Sequence, residues 1–245
     1  MKPQVFETLR QAPVLRPRRD WFLVIAAALL WCGAVKSRNH VIDPHCARAP
    51  ENCTVEKILS IDRFLIDSED SRADEYSFYT QNLSGAVALT VPLLMTLFWI
   101  ATRRRSAGQT LKDLGTDWLL LLQTTLFNGL FTELTRLAVQ RPRPFVYKDL
   151  SRAADPANYT AFYSGHTSFA AASMTALWLI LLSRGAHPRV LTISATVGVV
   201  LVYLTGVYRV LAGRHFFTDT LVALFMGFAV AWCVAILHRP RASTP

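Results

Sequence analysis

This sequence is short of charge. Asp, Glu, Lys and Arg together make 18% of its 245 residues, hydrophobic residues make 52%, and the mean hydropathy is +0.28. That balance excludes an ordinary soluble domain of this length and describes a membrane protein. Negative charge is the scarcer sign, with 17 acids against 26 bases and a net charge of +9. In a soluble chain the surplus would call for nucleic acid. Here much of it sits in short links between apolar runs, where headgroups and topology account for it, so nucleic acid is not a predicted partner. Internal repeats, Gly/Ser linkers and low-complexity tracts are absent, and residues 1–245 read as one membrane-embedded domain. There are four cysteines. Cys32 and Cys233 lie inside apolar runs and read as packing residues, whereas Cys46 and Cys53 stand at a spacing a disulfide can close, on the side predicted to be oxidising.

Six apolar runs are present: Trp21 to Val35, Leu83 to Thr102, Trp118 to Val139, His166 to Leu182, Val190 to Val207 and Phe216 to Leu237. Most approach the length that crosses a bilayer as helix. The first is short, but no small-residue cleavage pattern follows it, so it is expected to be retained as a helix. The predicted fold is therefore all-α, a polytopic six-transmembrane-helix bundle. Residues 1–20 form a cytoplasmic tail, 36–82 an outer loop, and 83–238 the helices that carry the site. Pro92 should kink the second helix and Pro142 should stop the third, because neither can donate the next helical hydrogen bond.

Lys and Arg are equally numerous on the two sides of this topology, yet the inner segments are shorter and Arg16, Arg18 and Arg19 immediately precede the first helix. Lys2, Arg103, Arg104, Arg105, Arg239 and Arg241 belong to the same inner set. The density places both termini in the cytoplasm. Arg136, Arg141, Arg143, Lys148, Arg209 and Arg214 then fall on the side that the rule depletes, and binding an anion would be a reason for them. In the acid-rich outer loop, Val55, Ile58, Leu59, Phe64 and Leu65 recur near helical spacing. They predict one short helix, either on the membrane surface or inside a small cap. Asn52, Asn82 and Asn158 each begin an Asn-x-Ser/Thr triplet on the outer side, which agrees with the topology without deciding it.

Three polar stretches converge on the outer face. The third helix ends around Glu133 and Arg136 and continues Gln140-Arg141-Pro142-Arg143-Pro144. The fourth begins Tyr163-Ser164-Gly165-His166. Between the fifth and sixth lies Gly206 to Asp219, with Arg209, Arg214, His215 and Asp219. His215 and Asp219 are four apart, so on a helix they share a face. The carboxylate could then take a hydrogen bond from one imidazole nitrogen and leave the other as nucleophile or base. Several guanidinium forks, a helix N-terminus and two histidines are the parts a phosphoryl-transfer site needs. Glu133 and Asp219 are the only acids expected at these helix ends, so no metal and no cofactor are predicted. Glu133, three residues before Arg136, either orients it or forms an ion pair with no catalytic role. The loop from Phe145 to Phe162 is placed to cover the site at headgroup height, and its Tyr147, Tyr159 and Phe162 read as an interfacial belt rather than as contacts to substrate.

In these motifs the chain resembles the type 2 phosphatidic acid phosphatase superfamily, integral-membrane lipid phosphatases whose relatives include vanadium haloperoxidases. The family's motifs are Lys, six residues, Arg-Pro; then Pro-Ser-Gly-His; then Ser-Arg, five residues, His, three residues, Asp. This sequence has Arg136, six residues, Arg143-Pro144; then Tyr163-Ser164-Gly165-His166; then Tyr208-Arg209, five residues, His215, three residues, Asp219. Order and internal spacings agree from the third helix to the sixth. Arg136 stands for Lys, Tyr163 for Pro and Tyr208 for Ser.

The resemblance implies hydrolysis of a membrane lipid phosphate monoester or diphosphate on the periplasmic, extracellular or lumenal side. Arg136, Arg143 and Arg209, with the backbone N–H groups of Ser164, Gly165 and His166, would hold the phosphate oxygens. His215 would attack phosphorus to give a phosphohistidine, Asp219 would fix its tautomer, and His166 would protonate the leaving oxygen and then activate water. The alternatives are a lipid phosphotransferase using the same histidine chemistry and a catalytically inactive lipid-binding relative. The second has no need of both histidines and Asp219. A haloperoxidase is disfavoured by the apolar spans.

Overall fold

The computed structural model describes residues 9–240. Lys2 and Arg241, counted above with the inner set, lie outside them, as do residues 1–8 of the predicted tail. Among these described residues six long helices follow in order: α1 (Pro17–Val41), α2 (Ser71–Ala101), α3 (Ala107–Val139), α4 (Gly165–Ser183), α5 (Pro188–Leu211) and α6 (Phe217–Leu237). No strand occurs among the described residues. The start signals are local. Pro17 and Pro188 occupy first-turn positions, where a missing N–H costs nothing. Asp70 caps α2 by accepting the N–H groups of Arg72 at 2.8 Å and Ala73 at 3.3 Å. Ser106 and Ser164 cap α3 and α4 in the same way. α3 stops where expected, with Gln140 in the left-handed region at φ 49° and Pro142 beyond it.

The segment Pro17–Arg48, which contains α1, and α2, α4, α5 and α6 are each long and apolar enough to cross a membrane. These five make the chain an integral membrane protein. α3 is longer still but is not among them, because Gln123, Asn128 and Glu133 dilute its apolar run. All three are buried inside the bundle. Elsewhere the usual pattern is inverted. Phe22, Leu29, Leu94, Val199 and Phe225 are more than half exposed, the apolar exterior of a helix whose solvent is lipid.

α4 is the hub, packed against α2, α3, α5 and α6. Its most apolar window is 72% buried, against 39% or less for the other four spans. Leu177, Ile180 and Leu181 of α4 meet Leu120 and Leu121 of α3, Leu201 of α5 and Val234 of α6 in the largest apolar cluster.

The outer loop is shorter than 36–82. Polar helical extensions carry α1 to Val41 and start α2 at Ser71, which leaves residues 42–70 as the connection, and α2 runs on through the buried Pro92. The single helix expected over Val55–Leu65 is not formed. Two 3₁₀ turns, Val55–Lys57 and Ser60–Leu65, flank an extended Ile58 whose carbonyl is taken by Arg63 Nε at 2.8 Å. Val55 and Ile58 pack with Ile66 and Tyr147 around Phe216, while Leu59 and Phe64 stay exposed. Cys46 and Cys53 are bonded, with their Cα atoms 5.6 Å apart. Cys32 and Cys233 are exposed on the helix surface, which corrects the expectation that they pack internally.

The end of the bundle away from the motifs is closed by ion pairs. Arg184, its side chain 6% exposed, joins Asp117 at 2.6 Å and Asp113 at 3.1 Å, and buried Asp20 faces His238 Nε2 at 3.4 Å. Val14 N–H donates to His238 O at 2.7 Å, so both described chain ends meet at this end.

Candidate active site

The three motifs meet at the other end of the bundle. Downstream of α5 the chain turns through Gly213, at φ +64°, where a Cβ would lie 2.5 Å from the Ser68 carbonyl oxygen. The turn delivers His215, 1% exposed, into the gap before α6. Its Nδ1 lies 2.6 Å from the carbonyl of Ala161. A carbonyl can only accept, so Nδ1 carries the proton and Nε2 keeps its lone pair. Burial, and then the charges of Arg209, Arg143 and Arg136, push the His215 pKa well below its ordinary value, outweighing the Ala161 bond. The ring is neutral at physiological pH, as a nucleophile must be.

Asp219 does not hold this ring in the way its spacing predicted. Its Oδ2 is 3.9 Å from His215 Nδ1, too far for a hydrogen bond. As the third residue of α6, it instead accepts the Phe216 N–H at 2.8 Å, one half of a capping box, and it accepts Arg141 Nη1 at 2.5 Å. The i, i+4 relation expected of a helix fails because His215 precedes the helix.

The predicted phosphate ligands surround His215. Arg143, in the connection after α3, places Nη2 3.0 Å from Thr160 Oγ1. Burial, with Arg209, Arg136 and Arg214 nearby, pulls its pKa down to about 9. Arg209, at the end of α5, bonds Asp74 at 2.5 Å and Ser77 at 3.3 Å. Arg136 is held by Glu133 at 2.7 Å, and Glu133 also accepts Arg38 Nε at 2.6 Å. Among the described residues, the Nε atoms of Arg136, Arg143 and Arg209 are buried with no hydrogen-bond partner.

Ser164, Gly165 and His166 open α4. Ser164 Oγ caps the helix, and its N–H is already donated to Asp219 O at 3.3 Å, which corrects the expectation that all three N–H groups are open to phosphate. Gly165 and His166 occupy the first helical positions, whose N–H groups have no partner within the helix. A Cβ on Gly165 would lie 2.9 Å from Arg136 Nη2, so the glycine lets the guanidinium pass. The His166 ring meets Phe78 edge-on at 4.5 Å, its Nε2 is buried without a partner, and Arg209, Arg136, Asp74 and Arg143 are its charged neighbours. Of the two motif tyrosines, Tyr163 is 1% exposed and Tyr208 packs against Tyr76 at 5.6 Å.

Sequence reasoning missed two acids at this face. Asp74, in the first turn of α2, bridges Arg209 and Arg214, reaching the latter at 2.8 Å. Asp62, from the outer loop, accepts Arg141 Nη2 at 2.8 Å. Both precede the motifs, and no spacing rule links them to a site a hundred residues on. The only available signal was their presence in an acid-rich loop facing unexplained arginines. In the connection after α3, the buried Tyr159 hydroxyl accepts Cys46 N–H at 3.1 Å and donates to Ala153 O at 2.7 Å. Within metal-ligand reach of one another, the described residues hold one group, His45, Cys46 and Cys53, whose two sulfurs are bonded together.

Apolar helices, with guanidinium groups and imidazoles clustered at one end, define an integral-membrane protein. Residues 117–242, just over half the chain, match the PAP2 superfamily, and the chain belongs to that superfamily. Membership carries phosphatase-type chemistry on lipid phosphates as its general function. No curated protein and no solved structure matches the chain.

Proposed function

We propose that the protein hydrolyses a membrane lipid phosphate through a phosphohistidine on His215. Six helices, α3 included, span the bilayer as one domain, with both termini cytoplasmic and the site at the outer face. Arg136, Arg143 and Arg209, with the N–H groups of Gly165 and His166, take the phosphate oxygens and stabilise the charge that builds on them in the transition state. His215 Nε2 attacks phosphorus as the P–O bond to the lipid breaks. His166 gives the departing oxygen a proton, then accepts one from the water that attacks the phosphohistidine and releases inorganic phosphate. Every group in this sequence comes from the chain, and no metal is assigned a step.

The observation that carries this reading is the set of buried, unpartnered guanidinium Nε atoms around a neutral imidazole whose proton is fixed on Nδ1. Buried donors without partners cost about 1–3 kcal/mol each, and a phosphate with several acceptor oxygens offsets that cost. Phosphate release from a panel of lipid phosphates by purified protein in detergent tests the reading. Hydrolysis that persists in excess EDTA and is blocked by vanadate supports it. Failure on every member of the panel, or loss to EDTA with restoration by Mg²⁺, counts against it. Reporter fusions at residue 60 and near residue 155 should both report the outer compartment, and a cytoplasmic signal from either overturns the orientation.

A further inference from the structure

We propose that Asp62 is a positioning residue for His215, acting through Arg141 and Asp219; the proposal rests on His215 being the nucleophile. Asp62 precedes the matched family region, yet it is 3% exposed and fully committed. One oxygen accepts the Thr218 N–H at 2.9 Å, and the other accepts Thr218 Oγ1 at 2.6 Å and Arg141 Nη2 at 2.8 Å. Thr218 is the second residue of α6, so the outer loop supplies one of the caps that helix needs at its site end.

Arg141 is the shared element. Its guanidinium lies between Asp62 and Asp219, bonded to both, and stacks over the Phe216 ring at 4.0 Å. Its backbone carbonyl accepts the Ala161 N–H at 3.1 Å, and the Ala161 carbonyl is the group that holds His215 Nδ1. From its side chain, Arg141 thus fixes the carboxylate that accepts the N–H of the residue after His215. From its backbone it fixes the acceptor of the His215 ring proton. A planar fork can hold two carboxylates at once in a way that an ammonium cannot. With Asp62 neutral, the fork keeps one charged partner and is free to turn toward Asp219 alone. Both supports of the imidazole then move together.

Asp62→Asn preserves shape and removes the charge. Two readouts test the proposal. In protein labelled with ¹⁵N at histidine, the Nδ1–H signal of His215, identified by its loss in His215→Gln, should shift in Asp62→Asn and also in Arg141→Lys, which keeps a charge but not the fork. This readout does not depend on turnover. In the phosphatase assay, Asp62→Asn should lower kcat about 10-fold with KM unchanged, since Asp62 touches no phosphate ligand, and the double variant with Asp219→Asn should be no slower than Asp219→Asn alone. An unmoved Nδ1–H signal in both variants, or additive losses in the double variant, overturns the proposal. Wild-type protein that releases no phosphate would instead sink the functional reading, while the histidine signal would still decide whether Asp62 positions the ring.

Discussion

Asp219→Asn separates two accounts of how the nucleophile is supported. Where a buried carboxylate sets the tautomer of a catalytic histidine, as in serine proteases, the amide replacement costs about 10⁴ in kcat. Here the tautomer is set by the Ala161 carbonyl, 2.6 Å from Nδ1, and Asp219 stands off at 3.9 Å. What Asp219 offers the reaction is its charge, felt by the imidazole as it becomes cationic on phosphorylation. Two unit charges about 4 Å apart interact by about 4 kcal/mol at an effective dielectric of about 20, which caps the effect near 10³-fold. Arg141, bonded to the same carboxylate, reduces it further, so the expected loss is about 10²-fold. The amide can still accept the Phe216 N–H, so the helix start should survive. Rapid-quench measurement of labelled phosphoenzyme isolates the first chemical step. A loss of 10⁴ or more in that step would refute the reasoning and return Asp219 to the tautomer role.

His215→Ala should abolish turnover and any acid-labile phosphoenzyme, whereas His166→Ala should form phosphoenzyme far better from an aryl than from an alkyl phosphate and should accumulate it. Trapping phosphoenzyme in His215→Ala but none in His166→Ala would mean the roles are reversed. Because the His215 pKa is lowered, the nucleophile is already neutral throughout the neutral range, so kcat/KM should show no acid limb near the ordinary histidine value of about 6.5; a limb there that disappears in a His215 variant would contradict this. Arg143 loses its charge as pH rises through about 9, so kcat/KM should fall above that point, and the fall should be absent in Arg143→Gln. Gly213→Ala places a side chain at φ +64° and 2.5 Å from the Ser68 carbonyl, and thermal unfolding in detergent should show a loss of at least about 1–2 kcal/mol; an unchanged midpoint would mean that the Ser68 segment yields freely.

The long helices were legible because hydrophobic run length and capping residues are local signals. Ser164 marks a start that the structure keeps and Pro142 follows an expected stop, whereas α3 and α5 begin ahead of their apolar runs, after Ser106 and at Pro188. The motif spacings likewise carried Arg136, Arg143, Gly165, His166, Arg209 and His215 to one end of the bundle. What failed was the inference of side-chain partners from sequence distance. The His215–Asp219 spacing implied a shared helical face, but the helix begins two residues after His215, and a backbone carbonyl took the place of the carboxylate. Residues 42–74 were hard to read because their order comes largely from side chains reaching across the fold: Asp62 to α6, Asp74 to α5. The polar interior of α3 weakened its apolar signal for a related reason, since the amide nitrogens of Gln123 and Asn128 donate to partners on α1 and α4.

The stretch from Asp62 to Asp74 is pinned at both ends and between them, where Ser68 Oγ and Asp70 N–H donate to Leu211 O at 2.5 and 3.0 Å. Such a segment has a fixed length. Residues inserted at the exposed Glu56–Lys57 turn would extend into solvent and leave every anchor in register. The same residues inserted after Asp62 would force either Asp62 off Arg141 or Asp74 off Arg209. Length variation among descendants of this chain should therefore collect before Asp62 and stop there, and a loop that looks free to drift would carry a measured interval in its second half.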